Sequence, residues 1–169
     1  SGYIENLLDA TRLQASGFTI KRSDVQISDL VDRVAARFRT QTDKHTITVH
    51  LPANLPVILA DETRLTQVFS NLISNAIKYS PGGTIDIAAE VKNDNLIFCI
   101  SDEGPGIDPN DLPFVFDRFY RAPNAIKQTK GAGLGMYLAK AIVEAHGGRI
   151  WIDPEHGKGA RVCFSLPLP

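Results

Sequence analysis

Three groups of residues have the types and spacing to do chemistry. Asn71, Asn75 and Lys78 lie four and then three residues apart, which places two amides and one ammonium on the same side of a helix. A magnesium ion that also carries phosphate oxygens and waters takes only one or two oxygen ligands from protein, and an Asn carbonyl suits it. Asn75 is the candidate main ligand and Asn71 its helper. Lys78 can meet phosphate charge, and Tyr79 offers a ring and a hydroxyl at the nucleotide's edge. In the second group, Asp102-Glu103-Gly104-Pro105-Gly106-Ile107, the Asp102 carboxylate can accept a hydrogen bond from an exocyclic amino group. That selects adenine over guanine, which has a carbonyl at the corresponding position. Gly104 and Gly106 leave nearby backbone open to close approach. The third group, Lys130-Gly131-Ala132-Gly133-Leu134-Gly135, opens a helix, where free N–H groups and the helix dipole favour phosphate.

Each group also has a plainer reading. Asparagines on a helix are commonly just solvated, although Asn is a mediocre helix former and two at this spacing call for a compensating role. Asp-Glu-Gly-Pro-Gly in isolation is an acidic turn, and Gly-x-Gly is compatible with a flexible loop. A dinucleotide-binding fold fits poorly, because the glycines follow a polar stretch rather than a strand and no βαβ unit surrounds them. Phe116 and Phe119, in Phe-Asp-Arg-Phe-Tyr-Arg, are either anchors under a lid or core aromatics. Lys127 and Lys130 are candidates to approach the γ-phosphate.

The elements that must position these groups follow from hydrophobic periodicity. Ile4, Leu7, Leu8, Ala10 and Leu13 mark a one-sided leading helix that stops at Ser16-Gly17. Phe18-Thr19-Ile20 reads as a short strand. A second helix carries Leu30, Val31, Val34, Ala35 and Phe38 after a Ser28 N-cap. Thr46–Leu51 alternates, and Val57–Leu59 is a second extended run before Asp61 caps a third helix. On that helix Leu65, Val68, Phe69, Leu72 and Ala76 cluster within about 100° as a core stripe, with Asn71, Asn75 and Lys78 beside it. Ser80-Pro81-Gly82-Gly83 breaks the helix, and Ile85, Ile87, Ala89 and Val91 lead through Asn93-Asp94-Asn95 into Leu96–Ile100 as a β-hairpin. Residues 108–130 lack periodicity and read as a long mobile loop. A helix through Leu134, Leu138, Ala141, Ile142 and Ala145 ends at Gly147-Gly148, before strands at Arg149–Asp153 and Arg161–Leu166. The sum is an α/β sandwich with an antiparallel or mixed sheet and helices on one face.

Composition narrows the partners. The chain has 169 residues, 43% of them hydrophobic, enough for one domain with its own core. A formal charge of -1 and the lack of any Lys/Arg stripe argue against nucleic acid. There is no apolar run of roughly eighteen residues and no signal-peptide layout, so a soluble domain is expected. Cys99 and Cys163, each in a candidate buried strand, are expected to be two reduced cytosolic thiols. Ser1-Gly2 matches what a cleaved expression tag leaves behind, and the chain is read as starting partway along a helix.

In order, Asn71–Tyr79, Asp102–Ile107, Phe116–Phe119 and Gly131–Gly135 resemble the N, G1, F and G2 boxes of sensor histidine kinases of two-component systems, with Gly147-Gly148 closing the last helix as it does there. The resemblance covers essentially the whole chain. It implies the Bergerat (GHKL-type) ATP-binding fold, shared with type II topoisomerase, heat-shock protein 90 and mismatch-repair ATPases. It implies ATP and Mg2+ as cofactors, with Asp102 reading the adenine amino group. Asn75, Lys78, Tyr79, Gly104, Gly106, Ile107, Phe119 and Lys130 through Gly135 would complete the site. It also implies domain limits: residues 1–16 end a dimerisation and phosphoacceptor helix, and residues 17–169 form the catalytic domain.

The implied reaction moves the ATP γ-phosphate to a histidine on a separate dimerisation domain and thence to an aspartate of a response regulator. None of His45, His50, His146 or His156 has the acceptor's surroundings, and His146 is better read as a helix-end cation set favourably against the dipole. Hydrolytic relatives carry a Glu where Asn71 stands, so an amide there leaves no general base and implies very slow hydrolysis. Motifs of eukaryotic-type Ser/Thr kinases are missing. The expected setting is a cytoplasmic domain of a homodimeric membrane parent, with this piece monomeric. The competing expectation is a degenerate module of the same fold that holds nucleotide only to gate a protein contact.

Overall fold

The computed structural model describes residues 2–16, 19–120, 134–153 and 159–169. The elements run α1 (Gly2–Ser16), β1 (Ser23–Val25), α2 (Ile27–Arg39), β2 (His45–His50), β3 (Ile58–Ala60), α3 (Glu62–Tyr79), β4 (Gly83–Lys92), β5 (Asn95–Ser101), a single 3-10 turn at Leu112–Phe114, α4 (Gly135–Ala145), β6 (Arg149–Ile152) and β7 (Arg161–Pro167). The main sheet has the order β2-β4-β5-β7-β6; β2 and β4 are parallel and the other pairs antiparallel. β1 and β3 form a separate antiparallel pair. The mixed sheet with helices against one face is the architecture that the hairpin-linked strands imply. No helix among the described residues is long and apolar enough to cross a membrane.

α3 is held at both ends and along one side. Asp61 is its N-cap: Oδ1 accepts from the Arg64 N–H at 3.1 Å and Oδ2 from the Lys21 N–H at 3.0 Å. Leu65, Val68, Phe69, Leu72 and Ala76 are buried as the periodicity requires, joined by Ile73. Each large apolar side chain so buried contributes roughly 1.5–3 kcal/mol. Phe69 meets Phe98 of β5 and Phe164 of β7 with ring centroids 5.0 and 5.2 Å apart, and these two strand rings stack at 5.3 Å. At the far end Ser80 is extended, as the residue before Pro81 must be, and its hydroxyl donates to the Ala76 carbonyl at 2.8 Å. His45 Nε2 lies 2.9 Å from that hydroxyl, which ties the helix end to the first residue of β2. The β4–β5 turn places Asn93 and Asp94 at φ of 52° and 62°, the left-handed pair that a two-residue hairpin needs.

Four local expectations are corrected. The strand expected at Phe18–Ile20 forms instead at Ser23–Val25, because Val25 is the residue that buries, in register with Ile58. Thr19 and Ile20 carry no strand, and Phe18 lies outside the described residues. α2 starts two residues earlier than a Ser28 cap requires: Ile27 is buried and draws the first turn forward, leaving Gln26 as a cap without a side-chain bond.

The third correction concerns the cysteines, which are joined as a disulfide rather than held as separate thiols. Leu96, Phe98 and Ile100 belong to the core, so Cys99 points to the opposite face of the sheet. Antiparallel register sets Cys163 directly opposite it, with a Cα–Cα distance of 4.1 Å. The fourth concerns His146. It is buried, its Nε2 accepts from the Asp61 N–H at 3.0 Å, and Nδ1 lies 2.8 Å from the Ile142 carbonyl. These bonds require a neutral ring that donates through Nδ1. Burial lowers its pKa, outweighing the raising effect of the Ile142 carbonyl. His146 therefore joins the C-terminus of α4 to the N-cap of α3 as a neutral hydrogen-bonding group, not as a cation on the dipole.

Two predictions follow from these links. The disulfide closes a loop with a sequence separation of 64, so reduction, or Cys99→Ala with Cys163→Ala, should lower unfolding free energy by up to about 4 kcal/mol in urea titrations. For His146, a depressed folded-state pKa means that the unfolded chain binds more protons below its ordinary value of about 6.5. Its contribution to stability is complete above that pH and falls away as pH drops through 6.5 toward the lowered folded value. His146→Gln should flatten the difference in stability between pH 7.5 and pH 5.5, as followed by thermal melts.

Candidate functional site

α3 carries the polar line as expected. Its apolar stripe faces the sheet, so Asn71, Ser74, Asn75, Lys78 and Tyr79 line a cleft of about 1800 Å³ together with Leu134 and Gly135 at the start of α4. The two helices approach closely there: a Cβ on Gly135 would stand 3.7 Å from the Asn71 Cβ. Asn71 Nδ2 donates to the Gly135 carbonyl at 3.3 Å, and its Oδ1 accepts from Asn6 Nδ2 of α1 at 3.4 Å. Asn75, one turn on, has no side-chain hydrogen bond among the described residues, so its carboxamide oxygen is available to a cation. Lys78 is exposed at the cleft's end.

Asp102 leaves β5 at the sheet rim and is buried. Its Oδ1 accepts from the Gly104 N–H at 2.9 Å and the Ala160 N–H at 3.2 Å, while its own N–H donates to the Ala160 carbonyl at 2.9 Å. Two backbone donors on one oxygen fix the carboxylate's orientation and leave the other oxygen for a ligand. Asp102 does not line the α3 cleft. It borders a separate hollow of about 400 Å³ with Thr84, Asp86, Ser101, Glu103 and Arg161. What joins the two is Gly104: a Cβ there would lie 2.8 Å from the Tyr79 carbonyl and 3.1 Å from Asp102 Oδ1. Only glycine lets the Asp102 loop seat against the end of α3. Gly106 stands at φ +81°, a second requirement for glycine, and Ile107 is half-buried beside it.

The two phenylalanines divide between the alternatives left open for them. Phe116 packs against the core, with Lys140 Nζ 5.8 Å from its ring centroid. Phe119 is 53% exposed at φ 66°, with the Arg118 guanidinium 5.2 Å from its ring, so it is no core aromatic, and most of the loop it would anchor lies outside the described residues. Next to it the Tyr120 phenol is pushed up to about 12, by desolvation first and then by Asp111 and Asp108, so it stays protonated near neutral pH. Arg121, Lys127, Lys130, Gly131, Ala132 and Gly133 lie outside the described residues, as do 121–130 of the expected long loop.

Sequence reading missed the contacts of α1. Asp9 Oδ2 accepts from Gln67 Nε2 at 2.8 Å and from Arg64 Nη1 at 3.0 Å, and Gln67 Nε2 lies 3.4 Å from Asn6 Oδ1. Beside them Ala10 packs with Leu134 and Leu138. The signal was present in part: Gln67 is one helical turn before Asn71, as Asn71 is before Asn75, so the polar line extends toward the N-terminus of α3. Ala160, which holds Asp102, left no signal in the sequence.

Comparison with known proteins places the chain in a family. Residues 60–169 match the family described as histidine kinase-, DNA gyrase B- and HSP90-like ATPase. The sensor histidine kinase WalK of Bacillus subtilis is 37% identical over 97% of this chain, which spans 28% of that protein. The adaptive-response sensory kinase SasA of a Synechocystis species is 35% identical over 98% of this chain and 44% of its own length. The chain thus spans less than half the length of each of these relatives. Among solved structures, full-length ShkA in complex with AMPPNP superposes with a TM-score of 0.85 at 30% identity, over 98% of this chain and 35% of that one. The catalytic domain of histidine kinase ThkA gives 0.76 at 25% identity, over 88% of this chain and 99% of that domain. With α3, its amide line and the Asp102 loop placed as described, the chain belongs to the histidine kinase-, DNA gyrase B- and HSP90-like ATPase family.

Proposed function

We propose that this chain is the ATP-binding catalytic part of a sensor histidine kinase that phosphorylates a histidine on a dimerisation domain, for relay to a response-regulator aspartate. The observation that carries the reading is the stretch of α3 from Asn71 to Lys78: Asn71, Ser74, Asn75 and Lys78 face the cleft with amides, a hydroxyl and an ammonium, while the carboxylates that line it, Glu5, Asp9, Asp61 and Glu62, belong to α1 and the N-terminal end of α3. Such a face binds cation and phosphate but cannot deprotonate water, which suits transfer to another protein better than hydrolysis.

The residues fit ATP with Mg2+. The Asn75 carboxamide oxygen has the donor chemistry of a magnesium ligand, with Asn71 on the adjacent turn, and Lys78 stands where phosphate charge would be met. Magnesium supplies neutralisation of the phosphate oxygens. The second oxygen of Asp102 accepts from the adenine amino group, while Gly104, Gly106 and Ile107 shape the wall beside it. Gly135 opens α4 beside Asn71, where the N-terminal N–H groups favour phosphate, and Lys130 through Leu134 are assigned to the phosphates with it. In this reading residues 1–16 belong to the end of the dimerisation helix and 17–169 to the catalytic domain. The parent is a homodimer with this part on the cytoplasmic side of a membrane. Cys99 and Cys163, 8% and 3% exposed, are there shielded from cytosolic thiols.

The test is phosphotransfer from radiolabelled ATP, in trans, to separately produced helical domains bearing an acceptor histidine. Acid-labile label on the histidine with only slow phosphate release is the expected outcome; nucleotide binding without transfer to any cognate domain would instead indicate a degenerate binding module. Asp102→Asn tests the adenine contact. Its amide oxygen would turn to the Gly104 and Ala160 N–H groups, leaving an NH2 group facing another donor. We expect ATP affinity to fall by about 1–3 kcal/mol in calorimetry, with the fold retained. Unchanged affinity would remove Asp102 from the site.

A further inference from the structure

We infer that Glu103 is a positioning residue for adenine recognition: its carboxylate replaces the β5 backbone at the edge of β4 and so fixes the loop that aims Asp102. The inference rests on the adenine role given to Asp102 above and adds the residue that sets its selectivity. β5 pairs with β4 as far as Ser101, which lies opposite Asp86. Continued by two residues, the same register brings Glu103 opposite Thr84, where an unbroken strand would offer its carbonyl to the Thr84 N–H. β5 ends at Ser101, and Glu103 Oε1 accepts that N–H instead. A side chain thus completes the ladder that the main chain has left.

Gly83 is fitted to this contact. It stands at φ +94°, and a Cβ there would lie 2.8 Å from Glu103 Oε1 and 3.3 Å from Glu103 Cβ, so only glycine leaves the carboxylate room across the start of β4. β7 holds the other side of the loop. The Asp102 N–H donates to the Ala160 carbonyl at 2.9 Å, and a Cβ on Gly159 would stand 2.0 Å from the Asp102 carbonyl oxygen. Glu103 is therefore the tether on the β4 side, next in sequence to the residue that reads the base. Gly104 follows it directly, and the Gly104 N–H is the nearer of the two donors to Asp102 Oδ1. Without the Glu103 bond Gly104 is free to shift, and the carboxylate loses the donor that turns its other oxygen toward the ligand. A carboxylate aimed loosely accepts less well from the adenine amino group and opposes the guanine carbonyl less, so the margin between the two bases narrows.

Two measurements on the whole chain test this. In calorimetry with magnesium, Glu103→Ala should bind ATP about three- to tenfold more weakly, the range that one hydrogen bond covers, while GTP affinity, read by competition against ATP, does not fall. Glu103→Gln keeps an acceptor oxygen for the Thr84 N–H and should restore most of the preference for ATP. A residue that served folding alone would leave the ratio of the two affinities as it is. Amide hydrogen exchange at Gly104 without nucleotide should speed up in Glu103→Ala and not in Glu103→Gln. If Glu103→Ala keeps the ratio and the Gly104 exchange rate of the unaltered chain, or if Glu103→Gln behaves like Glu103→Ala, Glu103 loses this role while the ATP site stands. If the unaltered chain binds neither nucleotide, or both equally, the assignment of Asp102 falls and the inference with it.

Discussion

Burial of the α3 stripe against the sheet is the constraint on which the rest of the structure depends. Phe69 enters between Phe98 and Phe164, three rings within 5.0–5.3 Å of one another, and so fixes α3 in rotation over β5 and β7. At 100° per residue, the side on which Asn71, Asn75 and Lys78 emerge is then settled. Rotation by even one residue would move the amides into the core or out to bulk solvent. Both ends of the helix are secured by groups from distant parts of the chain: His146 and Lys21 at the Asp61 cap, and His45 at Ser80. The helix is thus a rigid ruler for the amide line, and catalytic geometry gains from such rigidity.

Around that ruler the other site elements are attached by close approach more than by large contacts. The Asp102 loop seats because Gly104 has no side chain to strike the Tyr79 carbonyl, whereas at Gly135 α4 passes Asn71 at a distance that would leave a Cβ in ordinary contact. Asp102 is aimed by two backbone N–H groups, one from its own loop and one from Ala160, the residue before β7. α1 adds a polar clasp on the opposite flank. The site is therefore an assembly of a fixed helix and three lighter pieces. A neutral His146 and a cross-strand disulfide stabilise the sheet and helix frame outside this assembly.

Much of this was legible in the sequence, for an identifiable reason. Periodicity reports burial directly: the stripe from Leu65 to Ala76, the hairpin around Asn93-Asp94 and the α4 pattern all appear where the alternation or the 3.6-residue repeat places them. Motif order then identified the family, because four weak signals in sequence are far more specific than any one. Where local signals were weak the reading slipped. Phe18–Ile20 looked strand-like, but burial of Val25 against Ile58 decided the pairing, and Ser28 looked like a cap until buried Ile27 claimed the first turn.

The residue types, their spacing and the face on which they fall were thus determined by the sequence alone, since a helix or strand imposes its own period on local neighbours. Tertiary structure decided what depends on residues far apart in the chain. Cys99 meets Cys163 only through antiparallel register, and His146 is neutral only because folding buries it beside the Asp61 N–H. Asn71 is held only because α1 returns to lie on α3, across a separation of 65 residues. Such contacts leave no periodic trace, because they are made between elements whose mutual placement is set by packing of the whole core rather than by either segment.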